Sequence, residues 1–123
     1  MTALWVFVAG GAGSVMRYLI AGSFARLGAA FPVGTVTVNL IGCFLLGAVA
    51  HIATSWAWNP EMRAAVVIGF LGGFTTYSSF NHETLALLAA GSTGAALLNI
   101  TITLIGGLIA GWLGLVVSRQ LMA

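Results

Sequence analysis

Between Gly69 and Glu83 the chain reads GFLGGFTTYSSFNHE, a glycine pair followed by hydroxyl side chains at Thr75, Thr76, Tyr77, Ser78 and Ser79. Hydroxyls in an apolar region are neutral hydrogen-bond donors, suited to an anion that must leave its water. Tyr77 and Phe80, three residues apart, share a helical face; they form either an ordinary aromatic core pair or a wall whose positive ring edges face an anion. Asn39, in GTVTVNLIG with Thr35 one turn before it, has the same double reading. Its buried amide is either glue between helices or a neutral donor on a path. Glu83 is the only acid within an apolar span, and intramembrane acids are functional candidates. Asn99 and Thr103 share a face at i, i+4 and can line a polar track. Arg17, nine residues and roughly 13 Å of helix from Arg26, either snorkels to an interface or charges a vestibule. No nucleophile–base pair, phosphate-cradling loop or zinc spacing accompanies these residues, which points away from an enzyme.

The elements that must hold such residues are membrane spans. The 123 residues are 60 % hydrophobic and 5 % charged, with mean hydropathy +1.10, against roughly 25 % charge in a soluble domain. The chain therefore reads as one integral membrane domain, residues 1–123. Its four positive side chains are scattered arginines without a lysine, which excludes a basic patch for nucleic acid. The single cysteine, Cys43, excludes an intrachain disulfide and reads as packing.

Four apolar spans are predicted, at about 3–25, 33–55, 62–88 and 94–118, each long enough to cross a bilayer. Short connections carry turn residues at Gly28, Pro32, Asn59-Pro60 and Gly91. Trp5, Trp56 and Trp58 fall near the expected interfaces. The third span is too long for a straight crossing and poor in helix formers at its middle, so a break is expected near 72–76. Broken backbone at membrane depth persists only where protein buries it or water lines it. Gly106, Ala110 and Gly114 recur at i, i+4, i+8, with Gly107 and Gly111 beside them, and Gly10 and Ser14 repeat the spacing; such residues let helices approach closely. The fold class is an all-α membrane protein of four transmembrane helices with the third broken.

Both termini share a side with Arg63 and Arg119, and the other side holds Arg26 and Arg17. Orientation follows lysine and arginine bias, and here the tally is two against two. Insertion in both orientations, and with it an antiparallel homodimer, is the expectation.

Together these residues resemble the Fluc (CrcB) fluoride channels over essentially the whole chain. Gly11-Ala-Gly13…Arg17-Tyr18, then GTxxVNxxG from Gly34 to Gly42, then GFxGGxTTxSxF from Gly69 to Phe80 with Glu83 three residues on, occur in the family's order. The resemblance implies a passive fluoride-selective channel of the bacterial cytoplasmic membrane, built as an antiparallel dual-topology homodimer with two narrow pores. It implies a fluoride pathway through Asn39, Tyr77, Phe80, Ser78, Ser79, Glu83, Thr103 and Asn99, with Arg17 in a vestibule. It also implies a structural sodium ion at the dimer interface, held by the backbone carbonyls of Gly72 and Thr75. Tyr77 stands where the family usually has phenylalanine, and Gly107 and Gly111 replace later polar positions of the fourth span. No nucleotide motif is present. A small four-helix drug exporter would need an acid in the first span, which has none. A purely structural membrane subunit would explain the glycines but not the polar cluster.

Overall fold

The computed structural model describes every residue except Leu27 and Ala29, so the connection 26–32 lies partly outside the described residues. Among the described residues all regular structure is helical. Helix α1 covers Thr2–Ala25 and α2 covers Val33–Ser55. The third apolar region divides into α3, residues 60–74, and α4, Tyr77–Ala89. Helix α3 starts with the turn Pro60–Arg63, widens to π-helix over Ala64–Leu71 and closes with Gly72–Phe74. Helix α5, Thr93–Leu121, carries a second π-helical stretch at Ile102–Gly106. Helices α1, α2 and α5 are each long and apolar enough to cross a membrane; the protein is a multi-pass membrane protein.

Local signals account for the ends of these helices. Asn59 caps α3 by accepting from the Met62 N–H at 2.8 Å, and Pro60 takes the first helical position, where no N–H is needed. Gly91, at φ +75°, closes α4 in a Schellman turn. The Ser92 N–H returns to the Leu87 carbonyl and the Gly91 N–H to that of Leu88.

Helix α1 packs on α2 and α3, α2 packs along α5, and α4 lies against α5. Glycines set the closest approaches. Gly47 of α2 faces the Gly111 carbonyl of α5, and Gly114 faces that of Phe44, with no room for a Cβ at either. Gly13 of α1 sits equally close to the Phe70 carbonyl. The interior mixes polar side chains with apolar ones such as Val38, Leu71, Phe74 and Phe80, while large apolar side chains cover the outside. Thr35, Asn39, Thr76, Thr84, Asn99 and Ser118 are buried, whereas Phe7, Leu108 and Leu121 are exposed, as suits a chain whose outer solvent is hydrocarbon.

The interruption of the third span is narrower than the glycine pair implied. Gly72 and Gly73 stay helical, and only Thr75 (φ −79°, ψ 157°) and Thr76 (φ −148°, ψ 113°) are extended. Gly73 serves packing instead. A Cβ on Gly73 would run into the Gly10 carbonyl of α1, so its bareness permits the α1–α3 contact.

A candidate anion pathway at the helix break

The break is held by a side chain from another helix. Asn39 of α2 donates from Nδ2 to the Thr76 carbonyl at 3.0 Å and accepts at Oδ1 from the Thr76 N–H at 2.8 Å. One amide thus satisfies both backbone groups of one extended residue, as a neighbouring strand would. In an unbroken helix the Thr76 N–H would bond the Gly72 carbonyl, and the Ser79 N–H would bond that of Thr75. Here the first goes to Asn39 and the second to the Thr76 hydroxyl, at 3.1 Å. The two carbonyls relieved of these partners are those of Gly72 and Thr75.

Two cavities flank the break. The larger, about 810 Å³, is lined by Ser14, Arg17, Thr35, Ser79 and Glu83 among others. The smaller, about 300 Å³, is walled by Asn39, Thr75, Thr76, Tyr77, Phe80 and Thr103, with apolar neighbours. A hydroxyl cluster joins them. Thr76 Oγ1 lies 3.2 Å from Ser78 Oγ and donates to Ser79 Oγ at 3.0 Å, so one hydrogen bond links a wall residue of each cavity. On α2 the same step is one helical turn, from Thr35 to Asn39.

Tyr77 and Phe80 meet at 5.6 Å between centroids, tilted by 56°. Phe80 is buried at 6 % exposure while Tyr77, the first residue of α4, is 75 % exposed. Both residues line the smaller cavity, and the edge of an aromatic ring is the positive part of its quadrupole. Glu83 is tied at one oxygen: Thr35 Oγ1 donates to its Oε1 at 2.7 Å. Its Oε2 is buried without a partner among the described residues, as is the Thr103 hydroxyl. An unpaired donor or acceptor at this depth calls for water or an ion.

Two of the expected pathway residues line neither cavity: Ser78, which is exposed and lies 3.2 Å from the Thr76 hydroxyl, and Asn99. Asn99 is fully enclosed, at 0 % exposure. Its Nδ2 donates to Thr84 Oγ1 at 2.9 Å. Sequence reasoning named Thr76 only as one hydroxyl of the cluster and passed over Thr84. The signal for Thr84 was its place one turn beyond Phe80; nothing local distinguished it from any helical threonine.

The assembled groups are amide, hydroxyl and aromatic-edge donors in series, with an arginine at the wide end. They suit a small dehydrated anion, and no positive charge lines the narrow end to trap it.

Comparison with known proteins agrees in length and order. The model of the family described as CrcB-like protein, Camphor Resistance (CrcB), matches residues 4–115. A protein of Sorangium cellulosum (strain So ce56) named fluoride-specific ion channel FluC is 50 % identical over 121 residues, covering 97 % of this chain and 95 % of its own. Proteins bearing the same name in Geobacter sulfurreducens and Magnetococcus marinus are 43 % and 42 % identical. They cover 98 % and 97 % of this chain and 98 % of their own in each case.

Proposed function

Because the chain belongs to the CrcB family, we propose that it is a passive, fluoride-selective channel that lets fluoride leave the cytoplasm across the cell's inner membrane. The observation that carries the reading is the break at Thr75–Thr76, which brings Asn39, Tyr77 and Phe80 into one cavity wall beside a chain of hydroxyls. Relatives that carry the fluoride-channel name align from end to end.

Fluoride is small and strongly hydrated, so a selective path must replace water with several weak donors in close succession. Ser79 supplies a hydroxyl at the wide end beside Glu83, Ser78 lies at the step, and Asn39, Thr103 and the ring edges of Tyr77 and Phe80 receive the ion. The Thr35 and Thr76 hydroxyls orient Glu83 and Ser79. Arg17 raises the local concentration of anions at the larger cavity. No single group binds hard enough to hold the ion, which conduction requires. A membrane potential of about 100 mV, negative inside, drives an anion outward by about 2.3 kcal/mol per charge. Export therefore needs no nucleotide and no covalent step.

The functional unit is an antiparallel homodimer of dual topology. Balanced arginines support it, as do the exposed Tyr77 and the open side of the smaller cavity, which a second copy would cover. The carbonyls of Gly72 and Thr75, freed by the break, suit a hard cation such as sodium, which would neutralise oxygens that the helix no longer pairs.

Fluoride efflux from proteoliposomes, followed by electrode with chloride-loaded vesicles as control, tests the function. Rapid fluoride release with little chloride release is expected. Folded protein that releases neither ion refutes the reading.

A further inference from the structure

Helix α4 begins directly after the break, so no continuous helix fixes its rotation at that end. Within lipid, apolar surface gives little drive to press one helix on another, and polar pairs and packing decide their relative placement. Among the described residues one side-chain hydrogen bond joins α4 to α5, from Asn99 Nδ2 to Thr84 Oγ1 at 2.9 Å. The Thr84 hydroxyl in turn donates to the Phe80 carbonyl at 2.7 Å. Both side chains are buried, at 0 % and 7 % exposure, and neither lines a cavity. Thr84 lies one turn beyond Phe80 and on its face of the helix. Turning α4 by one residue, about 100°, would carry the Phe80 ring off the wall it shares with Asn39 and Thr103.

We propose that Asn99 and Thr84 are positioning residues, a buried pin between α5 and α4 that, beside the Thr35–Glu83 hydrogen bond from α2, holds the rotation of α4 and so aims the Phe80 ring into the smaller cavity. The assignment separates Asn99 from the ion path itself and gives Thr84 a role in selectivity. It rests on the fluoride-channel reading for its consequence, but the pin can be tested without ion flow.

Thr84→Val keeps the shape and removes the hydroxyl; Thr84→Ser restores it. With 4-fluorophenylalanine at position 80, the 19F line in detergent should move or broaden in Thr84→Val and return in Thr84→Ser. In proteoliposomes, Thr84→Val should lower fluoride flux about three- to tenfold, the range that a buried interhelical hydrogen bond of this kind can supply. The fluoride-to-chloride ratio should fall with it, and Thr84→Ser should recover both. A threonine that merely stabilised the fold would lower the melting temperature while leaving flux per folded molecule and the ratio unchanged. An unmoved 19F line in Thr84→Val overturns the pin whatever the flux. A moved line with wild-type flux and ratio overturns its consequence for selectivity. Should Thr84→Val fail to fold, Asn99→Ser, too short to reach Thr84, is held to the same readings. Wild-type protein that passes no fluoride would refute the channel reading and leave the 19F result to decide the pin.

Discussion

At the scale of single residues, Asn39 is the side chain on which most depends. An amide carries its donor and its acceptor on separate atoms side by side, so it can answer the N–H and the C=O of one residue together, and Thr76 presents both to it. Asn39→Leu keeps the branched outline with bulkier methyl groups and leaves both backbone groups buried without partners, at about 1–3 kcal/mol each. The expected outcome is fluoride flux at the vesicle background together with a melting temperature several degrees below wild type, read by size exclusion after heating. A variant that loses flux at full stability would assign Asn39 to the ion alone and leave Thr76 to some other partner. The role was half legible in the sequence. An asparagine in an apolar span demanded an explanation, but its partner lay 37 residues away. A side-chain donor can be read from sequence; the carbonyl that receives its hydrogen bond cannot.

At the scale of elements, three of the four expected spans are long apolar helices, readable because apolar length is a strong and local signal. The exact site of the break was not readable. Gly72 and Gly73 looked like its cause, yet both remain helical, and Gly73 serves to give α1 a bare backbone to lie against. The extended pair Thr75–Thr76 is made by Asn39 from α2 and by the Thr76 hydroxyl capping α4. The π-helical stretches at Ala64–Leu71 and Ile102–Gly106 had no mark in composition. Close packing of α2 on α5 predicts a contrast between two glycines of one helix. A Cβ at Gly114 would collide with the Phe44 carbonyl, whereas at Gly94 it would meet nothing. Gly114→Ala should therefore lower the melting temperature and the yield of monodisperse protein. Gly94→Ala should leave both unchanged or raise them slightly, since alanine is favoured over glycine in a helix by about 1 kcal/mol. Equal behaviour of the two variants would show that α2 and α5 can separate without penalty.

At the scale of the whole molecule, orientation in the membrane turns on four arginines. With four crossings, the termini are expected to share their side with Arg63 and Arg119, and Arg17 and Arg26 to lie towards the opposite side. Positive residues in short connections set which side faces the cytoplasm, and equal numbers set neither. Each newly made chain should then insert either way with similar frequency, which an antiparallel dimer requires. Cys43, the only cysteine, sits partly buried within α2 and can be replaced by serine to clear the background. With Ala123→Cys in that background, a membrane-impermeant maleimide applied to intact cells should label about half of the copies, the fraction expected of unbiased insertion. Two added arginines in the connection near Gly91 should drive labelling towards all copies, because that side would then be retained in the cytoplasm and the termini exported. The biased chain alone should lose fluoride export, and co-expression with a chain biased by arginines near the termini should recover it. Labelling of all or none of the unbiased copies would mean a single orientation. The balanced arginines would then carry no topological information, and the open side of the smaller cavity would need a parallel partner instead.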